Sequence, residues 1–279
     1  TQELRWSSTG DRKVDWTVGY YLREAERNDA SQVGTAAPSS SSQTNDAYAV
    51  FGEVTVKLPD PRWALTGGIR YFSDDVDAIS VSTTRVSTLN ATFDSWNPRV
   101  SLSFKPANDT TLYASAARGF RSGQLHPISS ILLAEQNGVE LPSTIDPDSI
   151  TTYELGAKSL FLHGSLLVEG AVFYSDWEGV AVRVPITSTI NGLTNSKGTE
   201  NKGAEVNVVY TPSASLMLQV GGSIIDATYV ADVPGTPLNK GTDVYNVPRN
   251  SFTASAAYSW DVASDLRGVV RTGVVYDSA

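Results

Sequence analysis

Hydrophobic and polar residues alternate with a period of two along most of this chain, the mark of strands with two unlike faces. Residues 251–260 put Phe252, Ala254, Ala256, Tyr258 and Trp260 on one face and Thr253, Ser255, Ala257 and Ser259 on the other. In 265–276, Leu266, Val270, Val274 and Tyr276 oppose Arg267, Arg271 and Gly273. In 203–210, Ala204, Val206, Val208 and Tyr210 oppose Gly203, Glu205 and Asn207, and in 97–105, Val100, Leu102 and Phe104 oppose Arg99, Ser101, Ser103 and Lys105. Similar runs are predicted at 14–25, 47–57, 63–73, 110–120, 151–161, 165–178 and 215–228, with a partial one at 1–8.

Each run is about 10 residues long, which at about 3.3 Å per residue and a tilt near 45° covers roughly 25 Å of height. That is the apolar thickness of an outer membrane, and soluble strands average only about 5–6 residues. The connections alternate in length. Short ones rich in Pro, Gly, Asn and Asp lie at 8–13, 58–62, 106–109, 162–164, 211–214 and 261–264, and suit tight reversals. Long polar stretches lie between them, at about 26–46, 75–94, 121–150, 179–200 and 229–250. Short turns on one side and long loops on the other are the plan of a transmembrane antiparallel barrel. The fold expected is therefore all-β. The Ser-rich stretch from Pro38 to Ser42 reads as a low-complexity loop. Aromatic residues cluster near the run ends: Trp16, Tyr20 and Tyr21; Trp63, Tyr71 and Phe72; Trp96 and Phe104; Phe173, Tyr174 and Trp177; Tyr258 and Trp260. This placement fits girdles at two membrane interfaces.

Composition narrows the reading further. Mean hydropathy is −0.16, as expected when only alternate side chains meet lipid. No stretch approaches the roughly 20 apolar residues of a spanning helix. A net charge of −9 argues against a nucleic-acid partner, and the absence of cysteine excludes disulfides and thiolate metal sites. The opening residues Thr1 to Trp6 lack the basic start and apolar core of a secretory leader, and the chain stops just after a strand-like run. Both ends are expected to be cut.

A resemblance enters at residues 96–125, which open on Trp96. Asn97-Pro98-Arg99-Val100-Ser101-Leu102-Ser103-Phe104-Lys105-Pro106, followed by Leu112-Tyr113-Ala114-Ser115-Ala116-Ala117-Arg118-Gly119-Phe120-Arg121-Ser122-Gly123, resembles a hairpin of the TonB-dependent outer-membrane receptors. Tyr48 to Glu53, Leu65 to Tyr71, Asp146 to Lys158 and Lys202 to Glu205 resemble further strands of that family, in the expected order. Asp148 stands where Glu is usual and Gln124 where Gly is frequent. The resemblance covers nearly the whole chain. It implies a siderophore-receptor-like barrel of about 22 strands with a plug in its lumen. About twelve of those strands are expected here. Residues 1–279 then form a barrel segment, with the plug domain, the TonB-contact region and the closing strands absent. The implied place is the Gram-negative outer membrane. The implied partners are outer-membrane lipid, the receptor's own plug, the TonB energy-transducing protein and a small-molecule metal chelate or other solute.

Candidate chemistry is sparse. His126 falls in a predicted outer loop and His163 in a tight turn, so a shared site is not expected. No G-x-S-x-G, Walker or H-E-x-x-H pattern occurs, and neither an enzyme nor a resident cofactor or metal is expected. Asp74-Asp75-Val76-Asp77 offers carboxylates to a calcium ion but lacks the spacing of a calcium loop, and reads as solvated loop charge. Arg99, Lys105, Glu154, Lys158, Glu169, Glu205, Arg267 and Arg271 are expected to face the lumen, since a charge on the lipid face costs roughly 2–4 kcal/mol at mid-membrane. Arg118 and Arg121, flanking Gly119-Phe120, sit where a strand leaves the membrane. Because the family's ligand contacts come from outer loops and the plug, the resemblance nominates Arg121, Gln124, His126, Trp177, Arg183, Asn191 and Asn195.

Three functions follow. The first is active uptake of a scarce solute, a ferric siderophore or similar iron complex. The second is a complete, passive channel or translocator of about twelve strands, which requires its first and last strands to pair. The third is a soluble β-rich surface adhesin, which requires the hydrophobic positions to face a dry core.

Overall fold

The computed structural model describes residues 1–31, 39–81 and 86–278. In chain order its elements are β1 (Gln2–Ser7), β2 (Val14–Ser31), β3 (Ser39–Lys57), β4 (Trp63–Val81), β5 (Val86–Ala107), β6 (Thr110–Arg121), β7 (Gln124–Leu125) and α1 (Ile128–Gln136). There follow β8 (Thr144–Ile145), β9 (Asp148–Phe161), β10 (Leu166–Glu178), β11 (Ala181–Pro185), β12 (Asn191–Asn195), β13 (Thr199–Ser213), β14 (Leu216–Tyr229), β15 (Asn250–Ala263) and β16 (Leu266–Asp277). Twelve strands make one sheet in the order β1-β2-β3-β4-β5-β6-β9-β10-β13-β14-β15-β16, each antiparallel to its neighbours. The four short strands form separate two-stranded ribbons, β7 with β8 and β11 with β12. Among the described residues β1 pairs only with β2 and β16 only with β15, so the sheet has two free edges. Among the described residues no helix is long and apolar enough to cross a membrane, which says nothing of strands.

The register sorts the side chains into two faces. One carries Leu4, Val18, Val50, Ile69, Val100, Leu155, Val172, Val206, Val220 and Val274, all well exposed. On it, aromatic residues gather in two bands. Trp63 stacks on Phe104 at 4.3 Å, and Tyr258 lies 5.9 Å from Trp260, near the short turns. Tyr48, Tyr71 and Trp96 adjoin one another at 6.0 and 4.8 Å near the long loops, and Tyr153 lies 6.5 Å from Tyr174. From Trp63 to Tyr71 is roughly 26 Å of strand, or about 19 Å of height at a 45° tilt, most of an apolar band about 25 Å tall. Tyr21, Phe72, Phe173 and Trp177 do not belong to these girdles. Their registers put them on the opposite, polar face, where Tyr21 and Phe72 pack with Ala47 and Ala49.

All of the expected runs are strands, but several extend far beyond the alternating core. β5 has 22 residues, roughly 70 Å of strand and, at 45°, about 50 Å of height, twice the apolar band. The stretches 26–46 and 75–94 are therefore not loops for most of their length. Ser40, Ser41 and Ser42 pair with Ala30, Asp29 and Asn28 inside the β2–β3 hairpin. Pro38, with the rest of that tip, lies outside the described residues. Nor is Asp74-Asp75-Val76-Asp77 a solvated loop. It lies in β4 and alternates between faces, with Asp74 and Val76 each only 1% exposed.

Candidate functional site

The polar face is a wall of cross-strand pairs, and missing side chains help to build it. Glu53 of β3 and Arg99 of β5 meet at 3.1 Å across β4, because the residue between them is Gly68. A Cβ there would lie 3.2 Å from the Arg99 side chain and 3.3 Å from the Glu53 carboxylate. Tyr113 of β6 likewise lays its ring over Gly156 of β9 and donates its hydroxyl to Glu154 at 2.6 Å. Lys158 pairs with Glu169 at 2.6 Å, Glu169 accepts from Asn207 at 3.2 Å, and Asn207 accepts from Gln219 at 3.2 Å. A cleft of about 500 Å³ opens on this face between Tyr113, Lys158, Glu169, Glu205, Asn207 and Ser223. Arg70, on the same face, lies over the rings of Tyr21, Phe51 and Phe72 at 5.3, 5.7 and 5.9 Å.

Arg99, Glu154, Lys158, Glu169, Glu205, Arg267 and Arg271 share that face by register, and Lys105 joins them by alternation from Ser103. At the short-turn end Arg267 lies 3.9 Å from Asp261.

Beyond the apolar band the long connections knit together. Residues 122–125 lie against the polar face of the β4–β5 extension, where Val76, Phe93 and Leu125 bury one another and the Ser122 hydroxyl donates to Asp74 at 2.8 Å. Arg23 approaches the same carboxylate at 3.4 Å. Ala134 of α1 packs with Leu141 and with Ile186, just past β11. Val180, Val182, Tyr229 and Val233 form a third cluster with Trp177, Leu238 and Val244, joining the 179–198 and 230–249 connections.

Two of the nominated contact residues turn out to be clamps within this assembly. His126 is 6% exposed; its Nδ1–H donates to the Pro142 carbonyl at 2.7 Å and its Nε2 accepts the Leu193 amide at 3.1 Å. Burial holds its pKa below the ordinary histidine value, partly offset by the Pro142 carbonyl. Asn195 donates to the carbonyls of Asp146 and Gly179 at 3.0 and 2.7 Å and accepts the Asp146 amide at 2.9 Å. Both side chains are occupied by protein partners, which leaves them little capacity for a ligand. Arg121 is similarly engaged. It forms a bidentate pair with the buried Asp148 and lies 4.7 Å above the Trp177 ring. Gln124, Arg183 and Asn191 are exposed.

The sequence reading missed Tyr245, which is 84% exposed in the 230–249 connection. Its being the one aromatic residue between Val230 and Arg249 was its only signal. Nearby, Arg249 pairs with Asp243 at 2.8 Å, which raises the pKa of the guanidinium. Among the described residues no group of His, Asp and Glu is arranged to hold a metal ion. The arrangement offers charge pairs, amides and aromatic faces, and His126 and His163 lie at opposite ends of the strands, in a long connection and a short turn.

Known proteins share this architecture. A family model described as TonB dependent receptor-like, beta-barrel, matches residues 1–279. No curated protein matches. Among solved structures, the ferric yersiniabactin uptake receptor FyuA of Yersinia pestis superposes with a TM-score of 0.75 at 18% identity, over 98% of this chain and 45% of its own. The siderophore receptor PiuA of Acinetobacter baumannii gives 0.66 at 16%, over 95% and 42%. The alcaligin outer membrane receptor FauA of Bordetella pertussis gives 0.65 at 16%, over 99% and 45%. The chain thus spans less than half the length of each, and likeness at this identity shows the fold alone.

Proposed function

The chain belongs to the TonB-dependent receptor family of β-barrels, and from that premise we propose that it is part of the wall of an outer-membrane receptor for a scarce solute, a ferric siderophore or similar iron complex. The observation that carries this reading is the open twelve-stranded sheet, apolar and aromatic-banded on one face and charge-paired on the other. A free strand edge is untenable in lipid, so the sheet calls for further strands to close it. That requirement disfavours a passive twelve-stranded channel, which would pair β1 with β16. The exposed Leu, Val and Tyr side chains of one whole face disfavour a soluble adhesin with a dry core.

In this reading the polar face lines the lumen and lies against a plug. The outer loops bind the solute, and TonB, acting through the plug, releases it inward. The pairs Glu53–Arg99, Tyr113–Glu154 and Lys158–Glu169 keep the wall's charges satisfied whether or not the solute is bound. Solute contact falls to the exposed loop residues Gln124, Arg183, Asn191 and Tyr245.

The test is uptake of radiolabelled iron as ferric chelates by iron-starved cells with and without the intact receptor. The expected result is loss of uptake for at least one chelate in the deletion strain, restored by the intact gene. Unchanged uptake across hydroxamate, catecholate and carboxylate chelates would remove the iron reading.

A further inference from the structure

Arg118 and Arg121 lie three positions apart on β6, and the alternation of the strand sends them to opposite faces. Arg121 is committed on the polar face to Asp148 and Trp177. Arg118 follows Ala114 and Ala116 onto the apolar face, and it is exposed. Its one hydrogen bond goes from Nη2 to the Ser149 hydroxyl at 3.1 Å, and no carboxylate pairs with it among the described residues. The nearest acidic residue in its row is Asp176, two strands away through Thr151, or about 10 Å at the usual strand spacing. Lys202, the other cation on this side of the sheet near the long loops among the described residues, is neutralised by Asp226 at 3.3 Å.

An unpaired charge on an apolar face is tolerated only where the membrane turns polar. The aromatic residues place Arg118 at that level. Tyr153 and Tyr174 lie one step inward on β9 and β10, and Trp96 lies a short way outward on β5. Below Arg118 the small side chains of Ala114 and Ala116 form the floor of an apolar groove of about 640 Å³, walled by Val100 and Leu102 on one side and Tyr153 and Leu155 on the other. From Ala114 to Arg118 is roughly 13 Å along the strand, enough to seat a length of acyl chain. Elsewhere this rim is acidic. Glu24, Asp46 and Asp75 stand side by side in register on β2, β3 and β4, with Asp94 nearby on β5, and would repel a phosphate.

We propose that Arg118 and the groove beneath it hold one phosphate-bearing lipid of the outer leaflet, with the phosphate on the guanidinium and an acyl chain along Ala114 and Ala116. The site rests on the outer-membrane reading above and takes no part in solute binding. Arg118 supplies a charge-assisted hydrogen bond, and the groove supplies apolar contact; neither half requires the other loops.

The test is native mass spectrometry of the intact, detergent-purified receptor titrated with bis-phosphorylated lipid A and, separately, with dephosphorylated lipid A. The wild type should retain the phosphorylated lipid the more tightly. Arg118→Gln keeps a donor toward Ser149 and should weaken only the phosphorylated lipid, by about tenfold or more, the loss of one charge-assisted bond. Arg118→Lys should restore much of that difference, and Ala116→Leu, which fills the groove, should weaken both lipids. Equal affinity of wild type and Arg118→Gln for the phosphorylated lipid would overturn the proposal. So would displacement by inorganic phosphate at millimolar concentration, since the ligand would then be a free anion. A receptor that releases from cells without detergent would instead overturn the outer-membrane reading, and failed chelate uptake would leave the lipid titration standing.

Discussion

In the long connections past the apolar band, His126 works only as a neutral ring, because Nε2 must accept the Leu193 amide while Nδ1–H donates to Pro142. Burial has lowered its pKa from the ordinary 6.5. The clamp is therefore at full strength above about pH 6.5 and weakens as the pH falls from there through the lowered folded value, since the opened loop binds the proton more readily. Amide exchange at Leu193, corrected for its intrinsic rate, should rise over that window. His126→Ala should abolish the pH dependence and cost about 1–3 kcal/mol of local stability through the two groups left unpaired. Exchange that is indifferent to pH in the wild type would refute this. A second contrast lies in the Arg121–Asp148 pair, because Asp148 is 6% exposed and Arg121 more than half exposed. Arg121→Ala strands a buried carboxylate and should cost about 1–3 kcal/mol, whereas Asp148→Asn leaves Arg121 on Trp177 and should cost less. Thermal unfolding of the two variants in the same detergent measures the order.

At the level of the strands, Gly68 allows two side chains to meet across a third strand. Gly68→Val should break the Glu53–Arg99 contact while preserving strand propensity, a loss visible as reduced unfolding temperature that Glu53→Ala and Arg99→Ala together would largely remove as a separate effect. If Gly68→Val cost the same in that double variant, the bridge would not be its cause. The twelve long strands were legible in the sequence because each carries its own period-two signal, as in 251–260 and 203–210. The extensions of β2 to β5 were not, because Asp, Ser and Thr dominate them and read as loop chemistry. Yet Val76 and Ala78 on β4, with Leu89, Ala91 and Phe93 on β5, keep the alternation, and residues around Leu125 cover them. Their apolar face was paired with a loop, and no pattern in one sequence reveals which loop. The same limit applies to the aromatic residues: Tyr20 and Tyr21 are adjacent in sequence, but only the register shows that the second belongs beneath Arg70.

Across the whole molecule, the sheet presents one apolar face suited to lipid and one polar, charge-paired face. The eight charges assigned to the polar face from sequence share it by register and alternation, whereas several of the nominated contact residues have protein partners brought to them by loops meeting in space. His126 and Asn195 are the plainest cases. Leu155, 60% exposed on the apolar face, offers an energetic check. Leu155→Arg should cost about 2–4 kcal/mol of folding stability in bilayers if it lies near mid-membrane. The chain has no cysteine, so single cysteines can be introduced and spin-labelled one at a time. The most direct measurement compares neighbouring labels in the intact receptor in bilayers: Leu155→Cys with Glu154→Cys, Val206→Cys with Glu205→Cys, and Val220→Cys with Gln219→Cys. The first of each pair should be relaxed by oxygen, which partitions into lipid, and the second only by a water-soluble nickel chelate or by neither, where the proposed plug shields it. Labels at Leu155, Val206 and Val220 that respond to the nickel chelate as strongly as to oxygen would contradict the membrane-wall account.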